Sequence, residues 1–140
     1  MIQKVTLSLR GEQSYPGQDP DVIELVTEGT LEDIPDGWKL CYEESELTGL
    51  AGVCTTFQIQ GKTVTLIRTG KLNSQMIFEE GVPHDSLYEM EFGALMLTVC
   101  ANKVETNLSE YGGTIDLKYS IEVEQNAAGT IDYHLDIMTK

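Results

Sequence analysis

The amino-acid sequence predicts an all-β protein whose strands form one up-and-down antiparallel barrel. Apolar and polar residues alternate with a period of two along most of the chain, and glycines recur between the alternating segments. No stretch of about ten residues combines a helical apolar stripe with helix caps. The alternating segments indicate eight to ten strands. An open sheet of that size would expose its edges and its apolar face, so we expect it to close on itself. A two-sheet β-sandwich is the alternative, since the alternation does not separate the two architectures.

The alternation places the strands in order along the chain. In the first segment Val5, Leu7 and Leu9 share one face, and their polar neighbours share the other. The pattern assigns no strand to residues 11–36. The predicted strands are KVTLSLR (4–10), GWKLCYEESE (37–46), VCTTFQIQ (53–60), KTVTLIRT (62–69), LNSQMIFEE (72–80), SLYEMEF (86–92), ALMLTVC (94–100), TIDLKYSIEVEQ (114–125) and TIDYHLDIM (130–138).

Three hairpins test whether the inner faces of neighbouring strands agree. Around each turn, apolar residues oppose apolar residues on one face, as correct registers require. The Gly61-Lys62 turn also brings Arg68 onto that inner face, opposite Thr55. The expected pairs are Ile59–Val64, Phe57–Leu66 and Thr55–Arg68 around Gly61-Lys62; Met90–Leu95, Tyr88–Leu97 and Ser86–Val99 around Phe92-Gly93; and Val123–Ile131 and Ile121–Tyr133 around residues 126–129.

Length and charge limit the classes of function. The chain has 140 residues, enough for one domain over residues 1–140 with a single core. Its net charge of -14 repels nucleic acid and anionic lipid headgroups, and it suits a solvated acidic exterior or a basic protein partner. The start of the chain lacks the apolar region of a signal peptide, and no apolar run reaches about 18 residues. We therefore predict a cytoplasmic protein.

A set of short motifs runs through the chain from Tyr42 onward. It comprises Tyr42, Glu44, Thr55-Thr56, Leu66, Arg68, Gly70, Met76, Phe78, Tyr88, Phe92-Gly93 and the late strands YSIEV and YHLDI. In these motifs the sequence resembles the YwiB-like bacterial proteins, a family of unknown function. The resemblance implies a calycin-like or lipocalin-like β-barrel and a bacterial origin, but no reaction. Calycins in general bind small hydrophobic molecules, so the resemblance favours a binding role by analogy of fold.

Arg68 is the most informative residue, because its strand position turns a charged side chain toward an apolar interior. An inward guanidinium is costly unless it is paired. One interpretation is that it anchors the carboxylate or phosphate of a bound amphipathic molecule, with Tyr88, Tyr119 or Tyr133 as further donors. The other is that it reaches water near a barrel end or pairs with an internal glutamate.

Alternate residues of each strand point to the barrel interior, and this rule identifies the other candidate ligand-binding residues. His84 shares the face of Tyr88 at one barrel rim, whereas Asp85 faces solvent, so this adjacent pair is not a catalytic dyad. His84 is either a ligand contact at the barrel mouth or a plain rim histidine. The residues expected to line a cavity together with Arg68 are Phe57, Leu66, Met76, Phe78, Tyr88 and Leu97.

Two sets of residues on the outer face are candidate sites. Asp132, His134 and Asp136 share the outer face of the last strand, where the expected register adds Glu122. This set offers ligands for a divalent metal, but residues two apart on a strand are separated by about 7 Å, too far for tight chelation. We interpret the set as part of the acidic exterior and predict no metal site and no bound cofactor.

Cys41 and Cys54 form the second outer-face set. If Tyr42 opposes Val53, the two cysteines oppose each other at a Cα separation of about 4.5–5.5 Å, which a disulfide can span. Reduced and incidental thiols are the alternative in a cytoplasmic protein, and the odd count of three cysteines argues against a disulfide framework.

The sequence contains no catalytic signature, whether a GxSxG elbow, an HExxH helix, a phosphate loop or a Cys/His pattern. The adjacent glutamates Glu43-Glu44 and Glu79-Glu80 point to opposite faces of their strands. We therefore predict a non-catalytic module that binds a small apolar or amphipathic anionic molecule, which requires an internal cavity of roughly 300 Å³ or more. The alternatives are a ligandless acidic interaction domain with a filled barrel that binds a basic protein partner, and an enzyme without a recognisable constellation.

Overall fold

The computed structural model describes residues 2–15, 17–44, 51–90, 93–123 and 126–139. Each strand pairs antiparallel with its neighbour in sequence, and the first also pairs with the last, so the sheet closes into a barrel. This confirms the predicted all-β barrel and excludes the sandwich. Across the described ranges no helix is long and apolar enough to cross a membrane. The strands are β1 (Ile2–Ser14), β2 (Asp21–Ile34), β3 (Gly37–Glu43), β4 (Val53–Gln60), β5 (Thr63–Gly70), β6 (Asn73–Phe78), β7 (Pro83–Met90), β8 (Gly93–Ser109), β9 (Gly112–Val123) and β10 (Asn126–Thr139).

Strand β2 is the element that the sequence analysis missed. It runs antiparallel to β1 along almost the whole length of both strands. Leu25 is buried and Ile23 faces the interior, but Val22 and Val26 lie exposed on the outer face. Because apolar residues occupy both faces of this strand, the period-two signal is blurred.

The predicted hairpin registers are right for one turn and displaced for another. Between β4 and β5, Thr55 lies opposite Arg68 as expected. Between β7 and β8, Tyr88 lies opposite Leu95 rather than Leu97. The reason is that Gly93 is not a turn residue; it begins β8 with a φ of 143°, a backbone conformation that glycine adopts readily.

The hairpin between β9 and β10 is displaced further. Ile131 lies opposite Tyr119 rather than Val123, because Val123 pairs with Asn126 and the register shifts between Ala127 and Gly129. Both displacements are by even numbers of residues. The predicted inner and outer faces therefore remain correct, although the partners across the strands change.

Buried apolar side chains fill one end of the barrel, which we call the closed end. It comprises the N-terminal halves of the odd-numbered strands and the C-terminal halves of the even-numbered ones. The opposite halves form the open end. Burying each large apolar side chain contributes about 1.5–3 kcal/mol, so the closed end supplies most of the hydrophobic stabilisation. Its fully buried side chains include Val5, Leu7, Leu31, Leu40, Phe57, Val64, Phe78, Ile115, Leu117 and Leu135.

Candidate functional site

The open end of the barrel contains a cavity of about 300 Å³. Strands β1, β2, β8, β9 and β10 contribute one wall, which is mostly apolar. Strands β5, β6 and β7 contribute the other, together with Glu44 just after the end of β3. The volume meets the lower limit for small-molecule pockets, roughly 300 Å³. The apolar wall includes Leu9, Ile23, Leu95, Leu97, Ile121 and Ile131.

Opposite the apolar wall, five polar side chains cross the inner face of five neighbouring strands. Strand pairing places each member directly opposite the next, from β3 to β7. Neighbouring strands lie about 4.7–4.9 Å apart, so adjacent members are within reach of one another. We call Tyr42, Thr55, Arg68, Ser74 and Tyr88 the polar row.

Tyrosine hydroxyls give the cavity neutral hydrogen-bonding groups. The hydroxyls of Tyr42 and Tyr133 are hydrogen-bonded to each other at 3.0 Å. Burial raises the pKa of both, and it raises the pKa of Tyr119 to about 12. All three therefore stay protonated at neutral pH, and they offer hydrogen bonds without adding charge.

Arg68 lines the cavity and is half-buried. Its Nε is buried without a hydrogen-bond partner, and it forms no ion pair within the described ranges. Burial has the largest influence on the pKa of Tyr119 and Tyr133, but the charge of Arg68 lowers the pKa of both. Arg68 and these two tyrosines line the same cavity. The alternative in which Arg68 pairs with an internal glutamate is not observed among the described residues.

Glu44 is a cavity residue that the sequence analysis did not select. It is buried, it lines the cavity, and its Oε1 accepts a 2.7 Å hydrogen bond from Thr55 Oγ1. Glu43 beside it is exposed, so the two glutamates point to opposite faces as predicted. Glu44 is two residues after Tyr42, so the alternation that turns Tyr42 inward turns Glu44 inward as well.

Four of the predicted ligand-binding residues lie on the cavity wall. Arg68, Met76, Tyr88 and Leu97 all face the cavity. Their inward orientation follows from strand parity. Arg68, Tyr88 and Leu97 lie in the open halves of their strands, whereas Met76 lies in the C-terminal half of β6 and borders the cavity from the closed end.

Three predicted lining residues lie in the closed end instead. Phe57, Leu66 and Phe78 are buried in the core and are not part of the cavity wall. The Phe57 ring centroid is 5.9 Å from that of Tyr133, and the Phe78 centroid is 4.6 Å from that of Tyr119. These phenylalanine rings pack against the cavity tyrosines. Parity predicts which face a residue occupies, but it does not predict the level along the barrel.

His84 also lies away from the cavity. Its Nε2 is 3.2 Å from Oε1 of Glu79, beside the turn between β6 and β7. Asp85 accepts a 2.8 Å hydrogen bond from Thr98 on the outer surface. The two side chains do not converge, as the parity argument predicts, but this rim belongs to the closed end and not to the mouth beside Tyr88.

The register expected around His134 is wrong. Asp132 lies opposite Lys118 rather than Glu122, and Asp116 lies opposite His134. The displacement follows from the short β9–β10 connection and the irregularity that precedes residue 130. Glu122 is therefore too far along the strand to join the proposed metal ligands.

Both ring nitrogens of His134 face carboxylates. Nδ1 is 2.5 Å from Oδ1 of Asp116, and Nε2 is 3.1 Å from Oδ2 of Asp136. The hydrogen bond with Asp116 is the main reason that the pKa of His134 is raised. In the part of the chain that the structure describes, no group of three His, Cys, Asp or Glu side chains is placed to hold a metal ion.

Cys41 and Cys54 do not oppose each other. Cys41 lies opposite Thr56 and Cys54 opposite Glu43, because the β3–β4 pairing is offset from the expected one. The cysteines are thus diagonal neighbours, about 7–8 Å apart on a sheet, beyond the usual disulfide range. Both thiols are free, and Cys54 is exposed. Partial desolvation is the main reason that the pKa of Cys54 is raised.

Comparison with known proteins places this barrel in a family. A family model described as "Domain of unknown function (DUF1934)" matches residues 7–137. The chain belongs to the DUF1934 family. The fold of this DUF1934 protein is similar to that in the crystal structure of the ywiB protein from Bacillus subtilis, with a TM-score of 0.83 and 22% identity over 96% of this chain and 92% of that chain. The resemblance to YwiB-like proteins is therefore confirmed. A search of the curated proteins finds no match.

Proposed function

We propose that this DUF1934 protein binds a small apolar molecule with an anionic end, and that Arg68 anchors that end. The supporting observation is that Arg68 lines the cavity while its buried Nε lacks a hydrogen-bond partner in the described part of the chain. A guanidinium in such a setting is costly unless an anion pairs with it. An anionic ligand supplies that partner.

The two walls of the cavity suit the two ends of an amphipathic molecule. The apolar wall buries a hydrocarbon chain, and each buried methylene contributes about 0.8 kcal/mol. The tyrosine hydroxyls beside Arg68 add neutral donors for the anionic end. A ligandless interaction domain requires a filled barrel interior, so the cavity favours the binding module over that alternative.

Displacement of a fluorescent polyene fatty acid by decanoate tests the proposal. Arg68→Met removes the charge and keeps the side-chain length, and we expect it to weaken decanoate binding at least about tenfold, or 1.4 kcal/mol. Gly11→Val narrows the cavity, so it is expected to weaken binding of the chain. A Cβ at Gly11 meets only the Tyr133 ring, at 3.5 Å, and this variant is therefore expected to fold.

Arg10→Met is the matched control for Arg68→Met. Arg10 lies on the outer face, where it pairs with Glu12 and Glu24, and its loss is expected to leave affinity unchanged. Wild-type protein that binds neither probe, or an Arg68→Met variant that binds like wild type, would contradict the proposal. Native mass spectrometry of protein from its own host distinguishes the alternatives: a retained small anion supports the binding module, and a basic protein partner without one supports the interaction domain.

A further inference from the structure

We infer that the cavity selects ligands with a single negative charge, and that Glu44 is the residue that excludes doubly charged ones. The inference rests on the proposed function, because it specifies which anionic end the Arg68 site accepts. The ligand class is then a singly charged amphiphile, such as a carboxylate or a sulfate ester, rather than a phosphate monoester.

The first step is the position of Glu44 relative to Arg68. Thr55 lies directly opposite Arg68 on the neighbouring strand and donates a 2.7 Å hydrogen bond to the Glu44 carboxylate. Glu44 and Arg68 both line the cavity. Thr55 therefore lies between the only cation and the only carboxylate on the described part of the wall. An anion bound to Arg68 is thus expected near Glu44.

The second step is the direction from which a ligand reaches Arg68. The Nε atom is shielded from solvent, whereas the residue as a whole lines the cavity. The terminal nitrogens of the guanidinium are therefore the part presented to a ligand. On the neighbouring strand, the directly opposed Ser74 is 7% exposed, and its Oγ also lacks a hydrogen-bond partner in the described part of the chain. The neighbourhood of Arg68 thus contains two buried polar atoms without partners, which points to an anion at this level of the barrel.

The third step is the charge balance of the cavity. The tyrosines stay neutral, so Arg68 supplies one positive charge and Glu44 one carboxylate. A single negative charge on the ligand is matched by Arg68. A phosphate monoester carries about -1.5 to -2 at pH 7. Arg68 is the only cation on the described part of the cavity wall, so the second charge of the phosphate lies near the Glu44 carboxylate. A like charge at such short range is expected to weaken binding about tenfold or more.

Three decyl ligands with different headgroups test the inference: decanoate, decyl sulfate and decyl phosphate. The sulfate is tetrahedral like the phosphate but singly charged, so it separates charge from shape. We expect wild-type protein to bind decanoate and decyl sulfate with similar affinity and decyl phosphate about tenfold more weakly. Glu44→Gln, which keeps the shape and the acceptor for Thr55, is expected to remove most of that preference.

Two variants control for indirect effects. Glu43→Gln makes the same charge change on the adjacent residue, which lies on the exposed face, and we expect it to keep the preference. Glu44→Asp retains the carboxylate and is expected to keep it as well. A preference that is absent in wild type, unchanged in Glu44→Gln, or reduced equally in Glu43→Gln overturns the inference while the proposed function stands. Wild-type protein that binds none of the three ligands overturns both.

Discussion

The two ends of the barrel are made from the same ten strands but have opposite characters. At the closed end the inward positions carry apolar side chains that fill the interior, including the fully buried Phe57 and Phe78. At the open end the same alternation brings Arg68 and Tyr88 inward and leaves a cavity of about 300 Å³. The period of two builds both ends. What differs is the size and polarity of the inward residues at each level, and this difference separates the packed core from the cavity.

The largest expected effect is the contrast between core substitutions at the two ends. Phe57→Ala empties part of the closed end and is expected to lower the free energy of unfolding by about 3–5 kcal/mol. Ile131→Ala, on the partly exposed cavity wall, is expected to cost about 1 kcal/mol. Urea denaturation of both variants measures the difference. Equal losses would show that the open end is packed as tightly as the closed end.

A smaller effect is expected from removing the inward charge of the open end. In the ligand-free protein, Arg68→Met relieves the desolvation of a guanidinium that has no ion-pair partner in the described part of the chain. We expect the free energy of unfolding to stay constant or rise by up to about 1 kcal/mol. The same variant is expected to bind decanoate more weakly. Thermal or urea unfolding measures the first quantity, with Arg10→Met as the control. A loss of more than about 1 kcal/mol would mean that Arg68 is a structural residue.

The smallest effect is expected on the outer surface, at His134. The pKa of His134 is raised in the folded state, so its protonated form stabilises the protein below the unfolded pKa of about 6.5. That contribution is lost as the pH rises through the raised pKa. Because the side chain is 39% exposed, we expect less than about 1 kcal/mol.

An NMR titration of the His134 ring measures this pKa directly. Urea unfolding of wild type and His134→Gln, at a pH below about 6 and again above about 8, measures the stability difference. The difference is expected to be larger at the lower pH. Asp132→Asn, on the same strand face, serves as the control. A His134 pKa at or below its ordinary value would contradict the assignment.

The faces of the strands could be predicted from the sequence because they depend only on parity. The turn between β4 and β5 was sufficient to place Arg68 inward and opposite Thr55, as the structure shows. Depth along the barrel could not be predicted, since Phe57 and Arg68 are both inward yet lie in different halves. Depth depends on how each strand is staggered against its neighbours, and that stagger is not encoded in the alternation.

Partners across strands were predicted less well than faces, for local reasons. The irregularity between Ala127 and Gly129 determines which residue faces His134, and no signal in the sequence located it. The polar row likewise depends on four successive registers being known together. Its buried member Ser74 carries no pattern of its own. The inward orientation of Glu44 could be predicted from strand alternation alone. The informative feature for the candidate site is this one inward carboxylate, and not the adjacent pair Glu43-Glu44.

The polar row belongs to the pairing of strands and not to any single strand. Moving one strand of the row by a single residue turns its member outward and replaces it with an exterior side chain. In the strand halves that carry the row, an insertion or deletion of one residue therefore destroys the site without removing any of its residues. Changes in length are compatible with the site only in the turns, in steps of two, or where a bulge absorbs the extra residue. The site is thus constrained by spacing as strictly as by residue identity.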